Sequence, residues 1–283
     1  MLKLSINQIT TRGLSLPDAV DAYARAGVDG ISPWREHIEE HGTARAVRLF
    51  RESGLEVPSL CVCGLFTREP VSERRAILDD ARRVIDMAHE LGAPTVVTVA
   101  GGLLPESRQI GDARAYILEC LEEIAAYAAL ADVKLGLEPL HPMNAAEFSL
   151  LSTLAQANGW SARLGPATGV IVDVYHTWWD PELAQGIEEA GRNGTLLGFH
   201  VSHWLVPTTD LMYDRGLPGD GVIDLCGIGE AMVRAGYDGW LEAELFSETL
   251  WSLDQVELAS TVTDRLRWLQ SQIQGRIGDA PLQ

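Results

Sequence analysis

No apolar stretch of this 283-residue chain reaches the ~20 residues that a membrane-spanning helix needs. Basic residues are also scarce. Lys and Arg number 22 against 40 Asp and Glu, giving a formal net charge of −18 and a pI near 4.7. A surface of that sign repels phosphate backbones and anionic bilayers, which argues against nucleic-acid and membrane partners. Only four cysteines occur, Cys61, Cys63, Cys120 and Cys226. The C-x-C spacing of the first two suits neither a zinc knuckle nor a redox pair, and their apolar SLCVCG context predicts strand residues. The opening MLKLSINQI lacks a basic n-region followed by an apolar h-region, so a cytoplasmic setting is expected. No G-x-G-x-x-G follows the first strand-like run, which removes the dinucleotide-binding fingerprint.

What is present is an ordinary globular balance, 46% hydrophobic and 22% charged, on a chain long enough to bury a core without disulfides. Strand-like and helix-like segments alternate throughout. LKLSINQI leads into SLPDAVDAYARAG, which has a Ser cap, Pro in its first turn and a closing Gly. VDGISPW precedes the helical TARAVRLFRESG, and VPSLCVCG precedes SERRAILDDARRVIDMAHELG. PTVVTVAGG, a fourth strand, precedes DARAYILECLEEIAAYAALAD. Four further strands follow, each with a helical segment after it. Eight such pairs predict a parallel sheet with right-handed crossovers. At roughly 250 residues or more, they predict a (β/α)8 TIM barrel as a single domain over residues 1–283.

The chemistry concentrates in the second half. VKLGLEPLHP, TGVIVDVYHTWWD, LLGFHVSHW and GWLEAELFSE are apolar runs that end in polar residues. Each carries a metal-competent residue near its C-terminal end: Glu138, Asp173, His200 and Glu244. Active sites of such barrels gather at those strand ends. A lone acid there is more often a helix cap or a salt-bridge partner, but four in consecutive units predict one metal site. Acids pointed into a barrel mouth repel one another unless a cation binds. Three carboxylates and one imidazole form a hard set that favours Mn²⁺, with Mg²⁺, Co²⁺ or Zn²⁺ as alternatives. Strand parity puts Glu242 and Glu244 on the same side and does not separate them.

Around this set lie His141, His176 and His203. His141, in EPLHP, is a candidate base, and His203 a second candidate for proton transfer or substrate contact. The loop after His200 holds Trp204, Arg215 and GLPGDG. Its Arg215 can reach a substrate oxygen or an acidic neighbour. GDG is not a phosphate loop and few other cations flank these segments, which argues for a non-phosphorylated substrate. Trp34, Trp178, Trp179 and Trp204 are candidates for stacking on sugar faces or for packing loops over the barrel.

Taken together, LEPLHP, VDVYHTWWD, GFHVS, DRGLPGDGVIDL and EAELFSE resemble the sugar phosphate isomerase/epimerase superfamily. These are the xylose isomerase-like barrels that include ketose 3-epimerases, hydroxypyruvate isomerase and inosose-processing enzymes. The resemblance implies metal binding by Glu138, Asp173, His200 and Glu244, choosing Glu244 over Glu242. It implies substrate contact by His176 and acid and base roles for Glu138 and Glu244. Two positions depart from the ketose 3-epimerase pattern: His203 stands where an acid is usual, and Asn144 where another Glu is usual. The implied activity is metal-dependent isomerisation or epimerisation of a sugar through an enediolate. The alternative is a lyase that cleaves a 3-oxo-glycoside by β-elimination, working with a small partner subunit. A non-catalytic sugar-binding barrel is the least favoured. Relatives of this kind also form homo-oligomers.

Overall fold

The computed structural model of the protein describes residues 1–278, so residues 279–283 of the expected domain lie outside the described part. Its strands are β1 (Lys3–Asn7), β2 (Gly30–Ser32), β3 (Ser59–Gly64), β4 (Thr95–Val99) and β5 (Lys134–Leu137). They continue with β6 (Thr168–Asp173), β7 (Leu196–Val201), β8 (His203–Trp204), β9 (Arg215–Gly216) and β10 (Trp240–Ala243). The chain packs as two compact units. One is Ser59–Leu197; the other joins Met1–Pro58 to the segment that begins at Gly198.

Within Ser59–Leu197, β3, β4, β5 and β6 run parallel in the order β6-β5-β4-β3. TVVTV of β4 and TGVIVD of β6 are buried along their whole length. Continuous apolar strands of this kind belong to parallel sheets covered on both faces. The helices Arg74–Leu91, Ile110–Leu130, Leu154–Leu164 and Leu183–Asn193 alternate with the strands. Helix Arg74–Leu91 buries Leu78, Ala81, Val84, Ile85, Ala88 and Leu91, the three-and-four spacing of an amphipathic helix, and stops at left-handed Gly92.

The other unit holds β2-β1-β10-β7 in that order, again all parallel. Helix Leu16–Ala26 begins on the Ser15 cap and ends at left-handed Gly27, as its sequence punctuation predicts. The long helix Gln255–Gly278 packs against Leu16–Ala26 and Leu225–Arg234. The strand register matters most for function. Ser5 pairs with Glu242, Glu242 with His200, and Asn7 with Ser32. In-register neighbours point to the same face, so these polar side chains share one side of the sheet.

The eight expected strands are β1 to β7 and β10. The structure adds the antiparallel two-residue pair β8–β9 within what reads as a loop. Helix Arg35–His41 is also additional. It buries only Ile38, so REHIEEH offers no apolar stripe to detect.

Candidate metal and substrate site

In the unit built on β2-β1-β10-β7, His200 and Glu242 lie within their strands, and Glu244 follows β10 by one residue. The Glu244 N–H still donates to Val201 O, which keeps its side chain in the same row as Glu242. Hydrogen bonds distinguish the two acids that parity leaves equal. Glu242 Oε2 accepts from Ser5 Oγ at 2.8 Å and Ser32 Oγ at 2.6 Å, and Oε1 accepts from Asn7 Nδ2 at 3.1 Å. Both its oxygens are thus held by donors of β1 and β2. Glu244 Oε1 accepts from Asn7 Nδ2 at 3.1 Å, and Oε2 faces Arg215 Nη1 at 3.1 Å. His200 Nε2 lies 3.6 Å from Glu242 Oε1, and its Nδ1 lies 3.9 Å from Glu244 Oε2.

Arg215, a candidate substrate contact by sequence, is 2% exposed and committed to its acidic neighbour. It donates to the carboxylate and backbone oxygens of Glu244, and its guanidinium lies 4.6 Å from the centre of the Phe246 ring. Its backbone N–H donates to Phe246 O and Asp214 bridges to Ser247, which brings it there. Trp34 packs edge-on against Phe246, and its indole N–H donates to Asn7 Oδ1 at 2.7 Å. Trp204 turns its N–H into its own loop, onto Thr208 Oγ1. His203 is buried, and its Nδ1 accepts from the Ile223 N–H at 3.3 Å. Burial lowers its pKa, and the charge of Asp220 opposes this in part.

In the Ser59–Leu197 unit, Glu138 directly follows β5 and Asp173 ends β6; both are buried. Asp173 Oδ1 caps the short helix Val174–Thr177 through the Tyr175 N–H at 2.7 Å. This turn carries His176 back to within 3.7 Å of Asp173 Oδ2. Trp178 follows it, and Trp179 donates to His176 O while meeting the His141 ring edge-on. His141 caps the turn Pro142–Asn144, accepting from the Met143 N–H through Nδ1 at 3.2 Å. Burial also lowers its pKa. Asn144, at one of the positions that departs from the ketose 3-epimerase pattern, is buried.

Each unit thus carries buried donors of the kind that hold a metal ion, Glu138 and Asp173 in one and His200 and Glu244 in the other. None is more than 5% exposed. Withdrawing carboxylates from water costs several kcal/mol per charge unless an opposite charge compensates, and a divalent cation with a preference for oxygen compensates several at once. Sequence reasoning overlooked Ser5, Asn7 and Ser32. The signal was present: Ser5 and Asn7 alternate along a strand whose last four residues are all buried, and buried polar side chains require partners.

Parallel strands alternating with helices, with polar side chains gathered at the strand ends, are the architecture of a TIM-type barrel. The chain matches the xylose isomerase-like TIM barrel family over residues 20–272 and belongs to it. The expected eight-stranded barrel is therefore this family's fold. A crystal structure of a protein from Sinorhizobium meliloti is 42% identical, with a TM-score of 0.92 over 94% of this chain and 98% of that one. The structure of an L-ribulose 3-epimerase is 20% identical with a TM-score of 0.77, and each chain is wholly covered. A curated relative is the 3-dehydroshikimate dehydratase of Pseudomonas aeruginosa, 28% identical over 87% of this chain. The chain spans only 38% of that protein's length. An L-ribulose 3-epimerase thus shares the fold, and a dehydratase stands among the curated relatives. No described helix is long and apolar enough to cross a membrane.

Proposed function

We propose that the protein is a divalent-metal-dependent isomerase or epimerase of a non-phosphorylated sugar or related keto-polyol. The observation that carries this reading is the buried strand-end donors, Glu138 and Asp173 in one unit and His200 and Glu244 in the other, three carboxylates and one imidazole. These residues would hold one divalent ion, Mn²⁺ by preference. When bound, such an ion polarises a substrate carbonyl and acidifies the neighbouring C–H.

The remaining work falls to the chain. Glu138 and Glu244 are the acid and base that remove the proton and return it, to the neighbouring carbon in isomerisation or to the opposite face in epimerisation. Asn7 and Arg215 hold Glu244 in one orientation. His141 and His203 each accept a backbone N–H at Nδ1, so in the neutral form their hydrogen resides on Nε2. Such a ring donates to a substrate oxygen. It does not take a proton at Nε2, and the base role considered for His141 passes to the carboxylates. Trp34 and His176 flank substrate. Arg215 is already paired with Glu244, which supports a substrate without phosphate.

A second reading is a lyase, in which the same proton removal is followed by loss of a β-substituent. The dehydratase relative favours it, as do His203 and Asn144 where 3-epimerases carry acids. Incubation with ketoses and with β-hydroxy or 3-oxo-glycosidic ketones in deuterated water with Mn²⁺ separates the two. Deuterium entering a ketose without loss of a substituent supports the isomerase/epimerase. Elimination without sugar interconversion supports the lyase. In either case Glu244→Gln is expected to lower turnover by 10²-fold or more and to reduce bound Mn²⁺. An unchanged metal content and rate in that variant would sink the proposal.

A further inference from the structure

Asn7 ends β1 with no exposed surface, and four groups meet at its amide. Oδ1 accepts from Trp34 Nε1 at 2.7 Å and from the Ile9 N–H at 3.2 Å. Nδ2 donates to Glu242 Oε1 and Glu244 Oε1, both at 3.1 Å. The task requires an acceptor and two donor hydrogens on one short planar group, which an amide supplies and a carboxylate does not. An Asp here would set a third negative charge against two. A Leu of similar volume would leave the indole N–H, the Ile9 N–H and one oxygen of each carboxylate without this partner.

The junction is anchored on one side. Ser5 and Ser32 both donate to Glu242 Oε2, and Asn7 sits on the other oxygen of that fixed carboxylate. The second hydrogen of Nδ2 is thereby aimed at Glu244. With Oε1 held by Asn7, the other oxygen of Glu244 faces Arg215 and His200. Trp34 locks the amide from the opposite side, because its N–H requires Oδ1 and so prevents the amide from turning over.

We infer that Asn7 is a positioning residue: it orients Glu244 for the metal and couples that carboxylate to the Trp34 indole. The inference rests on the reading of Glu244 as a metal ligand. Its consequence is that Trp34, which offers no ligand atom, tunes metal affinity through Asn7.

The test is direct Mn²⁺ binding to the full chain, read from the electron paramagnetic resonance of the free ion, in a double-mutant cycle. Trp34→Phe keeps an aromatic ring beside Phe246 while deleting the N–H together with part of the ring system; Asn7→Leu deletes the junction. Asn7→Leu is expected to weaken Mn²⁺ binding about tenfold or more, and Trp34→Phe about threefold. The Trp34→Phe effect should vanish in the Asn7→Leu background, because its route is gone, whereas two merely structural defects would add. If Asn7→Leu folds poorly, Asn7→Ser replaces it in the cycle, with the same non-additivity expected. Wild-type protein that binds no Mn²⁺ would overturn the metal reading itself, and this inference with it. Wild-type binding with single variants within twofold of it, or with additive losses, would overturn the positioning role alone.

Discussion

At the scale of the residue, one carboxylate pair shows how environment divides labour. Glu242 and Glu244 are two positions apart on the same face and share the Asn7 amide and the His200 imidazole, yet Glu242 is further held by two hydroxyls and Glu244 by an arginine. Hydroxyl donors from β1 and β2 make Glu242 a structural anchor, and outer partners of the kind that hold Glu244 orient a carboxylate toward a metal. His203 yields a pH prediction. Its folded pKa is depressed by burial, below the ~6.5 of an unfolded histidine. The unfolded chain therefore takes up this proton first as pH falls. The His203 contribution to stability is present above about pH 6.5 and is lost as pH falls through the folded value. Melting temperature of the chelator-treated protein from pH 7.5 to 5 should fall more steeply for wild type than for His203→Asn. Parallel curves would contradict the assignment.

At the scale of the element, strand ends are built by close approach. Gly64 closes β3 at a φ of +108°, and a Cβ placed there would lie 2.1 Å from Val99 O of β4. Both the backbone angle and the space require glycine. Gly64→Ala is expected to destabilise by more than about 2 kcal/mol, measured by urea denaturation; a loss under about 0.5 kcal/mol would show that the strand end shifts freely. The helices were legible from their punctuation, since Ser15, Gly27, Gly54 and Gly92 cap them as their residue types imply. The β8–β9 ribbon was not. Two residues pairing across a loop leave no periodicity, and neither does the Arg215 N–H to Phe246 O bond that sets Arg215 beside Glu244.

At the scale of the whole molecule, a net charge of −18 and buried acids lead the proposed metal site to predict a stability that depends on bound cation. A ligand that binds only the folded state stabilises by about 2.7 kcal/mol at a hundredfold excess over Kd. Exhaustive chelation is therefore expected to lower Tm, and stoichiometric Mn²⁺ to restore it, with elemental analysis returning one ion per chain. A Tm that does not respond to either treatment would contradict the metal site. Added salt without divalent metal should not reproduce the recovery, because screening acts weakly on buried groups.

The sequence by itself determined the alternation of strands and helices, because apolar periodicity and capping residues act over a few positions of the chain. It also determined which side chains with metal-binding chemistry stand at strand ends. Choosing between Glu242 and Glu244 needed a resemblance to relatives, since side-chain parity repeats every two residues and makes them equivalent. Tertiary structure alone decided their partners: Ser5, Asn7 and Ser32 come from strands more than two hundred residues away along the chain. Strand register sets such contacts, and register is a property of pairing between distant segments that no local pattern encodes. For the same reason Asn7, an unremarked residue in SIN, emerges as the link between the indole of Trp34 and the carboxylate of Glu244.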